Sequence, residues 1–397
     1  MSGKHLKNTG SISEIIPSKT WVKLAVVWLI VGLFMVFGSA FLSESMSEGT
    51  AMIAFLIILF TIVGAAFGVV KEADELAHKL GEPYGTLILT LSIVSIEVIL
   101  ISAVMLGPGE FPTIGKDSIF SVMMIIMNLV IGLCILLGGL KYGEQEYNAQ
   151  GTMSYIGMII MLGGLSMMLP NFILGAGNGS FSHTQATVLS TLIILLYGFF
   201  LAMQMGRYRH LYVQPEKGSM GIPYAQRHIA DLTQDPATSS ETSKGNKNEI
   251  LIRSFVLLGM IVPIVLLSHN LAIVVDYGIK ATNLPPSLSG VLIAMIVFTP
   301  ESMTAIKAAL NNEFQRTINL CQGAFVSTMG LTVPAVLIIG MLTGKTVLFG
   351  LSATEMILFI ITLLLSLMTF LGKRTTPIMG MMHLVLFAVF MLLIFNP

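Results

Sequence analysis

Leu80 to Glu97 reads LGEPYGTLILTLSIVSIE, and Leu284 to Glu301 reads LPPSLSGVLIAMIVFTPE. The two stretches align without a gap at an offset of 204 residues. Each opens on a leucine and a proline-containing turn, runs through an apolar stretch and ends on a glutamate. A carboxyl deep in an apolar run costs at least about 2.5–3.5 kcal/mol at the centre of a membrane helix, so it persists where it faces a cavity or a partner. Two of them at matching places in two copies are hard to read as accidents of hydropathy.

The rest of the chain supports a membrane setting. Its 397 residues are 54% hydrophobic and only 11% charged, against roughly 25% charged in soluble domains. Eleven apolar runs lie near 21–43, 50–70, 84–106, 119–140, 152–175, 185–205, 250–268, 286–309, 318–342, 352–372 and 376–396. Their length suits a bilayer core, and in lipid they must be helices so that every backbone group is bonded internally. The first 20 residues are polar and lack a signal-peptide core with a small-residue cleavage site, and the first apolar run is too long for one.

Charge in the connectors tests the count. With eleven spans and a cytoplasmic N-terminus, 18 of the 21 basic residues fall in inside segments; only Lys116, Lys280 and Lys345 fall outside. That bias fits the positive-inside rule and puts the C-terminus outside. The expected organisation is a cytoplasmic tail over 1–20, an extra helix over 21–43, a first five-helix repeat over 44–206, a polar cytoplasmic linker over 207–249 and a second repeat over 250–397. Five is odd, so the copies are inverted, the arrangement of transporters that bind at the midplane between repeats. Asn128-Leu129-Val130-Ile131-Gly132 and Asn319-Leu320-Cys321-Gln322-Gly323 share N-L-x-x-G and suggest that the duplication continues into the following spans.

The candidate ion and proton ligands are Glu97 and Glu301, which are also the candidate metal ligands. Around them stand Ser95, Thr299 and Ser302, with Ser92 close by and Ser327, Thr328 and Thr332 further along. Pro300 cannot donate its backbone nitrogen, which frees a carbonyl one turn back. Asn128 and Asn319 add amide oxygens, and Glu82 stands at a possible cytoplasmic mouth. His269 and Asp276 are expected in an outer connector, and Glu313 and Arg316 as a surface pair at i,i+3.

Two carboxylates in a low-dielectric site repel one another and resist ionisation. One Ca²⁺, two Na⁺ or two H⁺ each neutralise them, whereas an empty, doubly charged site is costly to move. That coupling makes an antiporter. Net charge is zero, with no basic stripe for nucleic acid. CxxC, HExxH, GxSxG and Walker A patterns are absent, so no enzyme or resident cofactor is expected. The expected partners are inorganic cations, protons and membrane lipid. A proton-uncoupled cation channel is the alternative reading.

Ala73 to Ser92 (ADELAHKLGEPYGTLILTLS) followed by Glu97, with TPES and AIKAALNNEFQRTINLCQGA between Thr299 and Ala335, resembles the Cha-type calcium/proton antiporters of the calcium:cation antiporter superfamily. The resemblance covers most of the chain. It implies eleven helices, two inverted five-helix repeats, and exchange of Ca²⁺, Na⁺ or K⁺ for H⁺ in the bacterial cytoplasmic membrane, with the ion between Glu97 and Glu301. The wider family's G-N-A/T-x-E motif is replaced here by stretches ending at Glu97 and Glu301 that lack the Gly-Asn.

Overall fold

The structure is a computed structural model that describes residues 16–42, 46–80, 84–106, 112–173, 179–215, 247–282, 285 and 287–396. Among these, eleven helical rods follow one another: α1 (Ser18–Phe41), α2 (Glu48–Leu80), α3 (Tyr84–Leu106), α4 (Ile114–Tyr142), α5 (Ala149–Asn171), α6 (His183–Met205), α7 (Lys247–Thr282), α8 (Leu288–Leu310), α9 (Phe314–Thr343), α10 (Ala353–Phe370) and α11 (Pro377–Phe395). Ten of them are long and apolar enough to cross a membrane within the described residues; the eleventh, α3, shows a shorter apolar stretch, Leu91–Leu106. Glu82 lies outside the described residues, as does most of the expected linker.

Local chemistry starts and stops the rods. Ser182 with Gln185 and Ser352 with Glu355 form capping boxes that begin α6 and α10. Asn148 accepts from two backbone N–H groups to begin α5, and Pro377 stands in the first turn of α11. Gly344, at φ 68°, ends α9 in the left-handed conformation that glycine adopts without strain.

Hydrogen bonds between rod ends fix their directions. Lys345, just past α9, donates to Met105 O at the end of α3 (2.7 Å), and Leu348 N donates to Pro112 O ahead of α4 (2.8 Å). At the far end of α4, Lys141 and Tyr142 both donate to Leu310 O, at the end of α8 (2.8 and 2.7 Å). Between those two faces α4 spans 29 residues, about 43 Å at 1.5 Å per residue. So α3 and α8 end on opposite faces and run in opposite directions.

Exchanging α2–α6 with α7–α11 carries the principal packed pairs onto one another. α3 lies on α9 as α8 lies on α4; α4 lies on α11 as α9 lies on α6; α2 packs on α8 as α7 packs on α3. α2 with α7, α3 with α8, and α5 with α10 are contacts of a helix with its own counterpart. This is an inverted repeat expressed in packing. α1 stands apart, packed on α2 and α7 and pinned by Trp28 Nε1 donating to Gly259 O (3.0 Å).

Two details differ from the sequence reading. α2 and α7 continue well beyond their apolar runs, so His269 and Asp276 are helical rather than in a connector; Asp276 bonds Lys280 at 2.8 Å. The extended end of α2 meets the start of α7 through charges: buried Arg253 donates to buried Glu72 (2.9 Å) and also meets Glu75 and Glu249. The second difference lies in α8, which runs unbroken through Pro300. Irregular backbone occurs instead as π-helical turns at Met124–Val130 in α4, Gly164–Met168 in α5 and Thr328–Thr332 in α9. Such turns are rare and gather at functional sites.

Candidate ion site between the repeats

Glu97 and Glu301 each stand thirteen residues after the first residue of their helix and nine before the last. They therefore lie near mid-depth in antiparallel helices that pack on each other. Glu97 is 0% exposed and Glu301 5% exposed. Thr328 Oγ1, from the π-helical turn of α9, donates to Glu97 Oε2 at 2.6 Å. Glu97 Oε1 and Glu301 Oε2 are buried with no hydrogen-bond partner. Thr332 is buried in the same π-helical turn as Thr328.

The remaining residues singled out in the sequence go elsewhere. Ser95, Thr299 and Ser302 spend their hydroxyl protons on the carbonyls of Leu91, Met295 and Phe298 in their own helices, at 2.6, 2.5 and 2.7 Å. This is the helix back-bonding that serine and threonine commonly adopt. Pro300 leaves the Ile296 carbonyl without its usual i+4 donor while the helix continues.

The two asparagines are not brought together. Asn128 is fully buried; its Nδ2 donates to Thr362 Oγ1 (3.0 Å) and its Oδ1 faces His383 Nδ1 (3.1 Å). Asn319 donates to Tyr212 O (2.6 Å) and accepts from Gln315 (2.9 Å) near the start of α9. The N-L-x-x-G match is thus out of register. Asn128 is fourteen residues into α4, Asn319 only five into α9, and the residue fourteen into α9 is Thr328.

Two features were not picked out in the sequence. Gln322, inside the N-L-x-x-G stretch, is 0% exposed with both side-chain atoms lacking partners. His383 is 0% exposed in α11 and bonds Asn128 on one side and Thr369 Oγ1 on the other (3.1 Å). The signal for His383 was available: an ionisable side chain inside an apolar run of membrane length.

An inverted-repeat membrane bundle with a pair of buried carboxyls at its pseudo-symmetric centre is the architecture of a secondary transporter. The chain belongs to the sodium/calcium exchanger protein family, which it matches over residues 50–206 and 253–396. It is 34% identical over 340 residues to the sodium-potassium/proton antiporter ChaA of Escherichia coli K12, covering 86% of this chain and 88% of that one. Its fold is similar to that of native YfkE, with a TM-score of 0.69 at 17% identity over 95% of this chain and all of the other. It is likewise similar to the H⁺/Ca²⁺ exchanger CAX, with a TM-score of 0.65 at 13% identity over 94% and 89%.

Proposed function

We propose that this protein is a secondary antiporter that exchanges Ca²⁺, or Na⁺ and K⁺, for protons by alternating access, with Glu97 and Glu301 as the shared ion and proton site. The observation that carries this reading is the pair of buried carboxyls, each with an oxygen that no protein group satisfies. A buried, unsatisfied carboxylate oxygen is costly, and a bound cation or a proton removes that cost. The family membership and the printed activity of the ChaA relative point the same way.

Ca²⁺ takes about 6–8 oxygens and the two carboxyls supply at most four. The Ile296 carbonyl, Gln322, Thr328, Thr332 and water are the candidates for the rest. Asn128 has its amide oxygen occupied by His383; Ser95, Thr299 and Ser302 donate their protons within their own helices and keep oxygen lone pairs that a cation can use. In this reading the chain lies in the bacterial inner membrane with its N-terminus inside and its C-terminus outside, as the distribution of basic residues suggests.

The test is a reconstituted vesicle preparation with a pH-sensing dye inside, given Ca²⁺, Na⁺ and K⁺ in turn. The account expects proton movement opposite to at least one cation, scaling with the imposed gradient and abolished by a protonophore. Cation flux that carries current and moves no protons would establish the channel reading instead.

A further inference from the structure

The repeat symmetry that relates Glu97 to Glu301 also relates their surroundings, and the two surroundings differ. Thr328 and Asn128 stand fourteen residues into α9 and α4, each inside a π-helical turn. The turn bearing Thr328 packs on α3, the helix of Glu97; the turn bearing Asn128 packs on α8, the helix of Glu301. Both halves lay a π-helical turn on the other half's glutamate helix, although the turns differ in extent, Met124–Val130 against Thr328–Thr332. Thr328 bonds its glutamate (2.6 Å), whereas Asn128 faces away and Glu301 Oε2 is left without a partner.

What holds Asn128 away is a built dock. Thr362 on α10 accepts from Nδ2 at 3.0 Å, and His383 Nδ1 on α11 donates to Oδ1 at 3.1 Å. His383 Nε2 in turn accepts from the Thr369 hydroxyl (3.1 Å), so the ring is held from both sides. All four residues are buried. α11 is pressed onto α4 where Gly132 meets Gly380: a Cβ on Gly380 would fall 2.7 Å from Gly132 O.

Symmetry then asks for a matching dock for Thr328, on α6, the counterpart of α11. A buried hydroxyl stands there without a partner: Ser190 Oγ, seven residues into α6, where His383 is six residues into α11. α6 packs on the π-helical turn that carries Thr328.

We propose that Asn128 is a positioning residue for the ion site with two stations: docked on Thr362 and His383, as seen here, and turned onto Glu301 in the oppositely facing state. In that state Thr328 leaves Glu97 and takes the Ser190 station. The inference rests on the two-glutamate reading above. In an inverted-repeat transporter, exchanging the conformations of the repeats turns one facing state into the other. The observed asymmetry is therefore half of a cycle in which each glutamate is held by a neighbour in one facing state and left open to ion or proton in the other.

The experiment measures the apparent affinity for Ca²⁺ and for Na⁺ on each face separately, using right-side-out and inside-out vesicles. Asn128→Leu removes both stations, and with them any hold on Glu301. Thr362→Val and His383→Phe weaken the first without touching Asn128 or Glu301. The expected result is a shift of about tenfold on one face for Asn128→Leu, the scale of one lost buried hydrogen bond, with a shift of opposite sign on that face for the dock variants. Thr362→Val changes shape least and keeps the test open if His383→Phe does not fold. Equal shifts on both faces, or the same sign for Asn128 and its dock, would overturn the proposal. Full exchange in Glu301→Gln would instead overturn the two-glutamate site, so the two failures are distinguishable.

Discussion

The first and second halves of this chain are built alike and finished differently. Both place a glutamate thirteen residues into a helix and lay that helix against a π-helical turn of the other half. In one half the turn offers Thr328, which bonds Glu97; in the other it offers Asn128, which is held by Thr362 and His383. The repeat is expressed in backbone and depth, and the two halves differ in the side chain that each turn presents. A symmetric scaffold with asymmetric contacts is what a transporter needs if its two facing states are to differ.

The largest effect is expected where the halves are joined. Arg253 on α7 is buried against Glu72 on α2, a helix and its own counterpart. Arg253→Met strands a buried carboxylate and should destabilise the protein by about 3–5 kcal/mol, read as a fall in the denaturation midpoint in detergent. The double variant Glu72→Leu/Arg253→Met should recover most of that loss; failure to recover would mean that the pair does more than neutralise itself.

A smaller effect separates the true counterparts from the apparent ones. A Cβ on Gly132 would meet Gly380 O at 3.0 Å and His383 Cβ at 3.1 Å, whereas on Gly323 it would meet only the Tyr155 ring and hydroxyl, from 3.4 Å outward. Gly132→Ala should therefore cost about 1–3 kcal/mol, and Gly323→Ala less than about 0.5 kcal/mol. Equal costs in thermal unfolding would restore the N-L-x-x-G pairing that the structure breaks.

Next comes the glutamate's own neighbour. Thr328→Val removes the bond to Glu97 and should weaken apparent cation affinity several-fold, about 1 kcal/mol. Thr299→Val, whose hydroxyl bonds its own helix, should change affinity less than about twofold. Vesicle titrations that rank the two the other way would shift the ion site toward α8. Smallest of all, Arg316→Gln breaks exposed pairs with Glu313 (3.2 Å) and Asp74 (3.5 Å) and should move stability by less than about 1 kcal/mol.

Much of this was legible in the chain itself. Hydropathy located eleven helical rods, ten of them long and apolar enough to span a membrane among the described residues, and the 204-residue offset located the matching glutamates, because both depend on composition along one helix. α2 and α7 outrun their apolar stretches because hydropathy stops where charges begin, while Lys79 and Glu72 of α2 pair with Glu249 and Arg253 of α7, and Asp276 pairs with Lys280 in the continued end of α7. The asparagine pairing failed for another reason. A three-letter match cannot sense depth, and depth decides that Asn128 answers to Thr328. The engagement of Ser95, Thr299 and Ser302 depends on rotamer, and the partnership of His383 with Asn128 on two helices 255 residues apart in the chain; neither is written in local pattern.

The central claim is that Glu97 and Glu301 are the site where cation and proton exchange. The most direct test is cation-driven proton flux in vesicles containing wild-type protein, Glu97→Gln or Glu301→Gln at matched incorporation. Loss of coupled exchange in both variants, with normal folding, is the predicted result. Near-normal exchange in both would contradict the account.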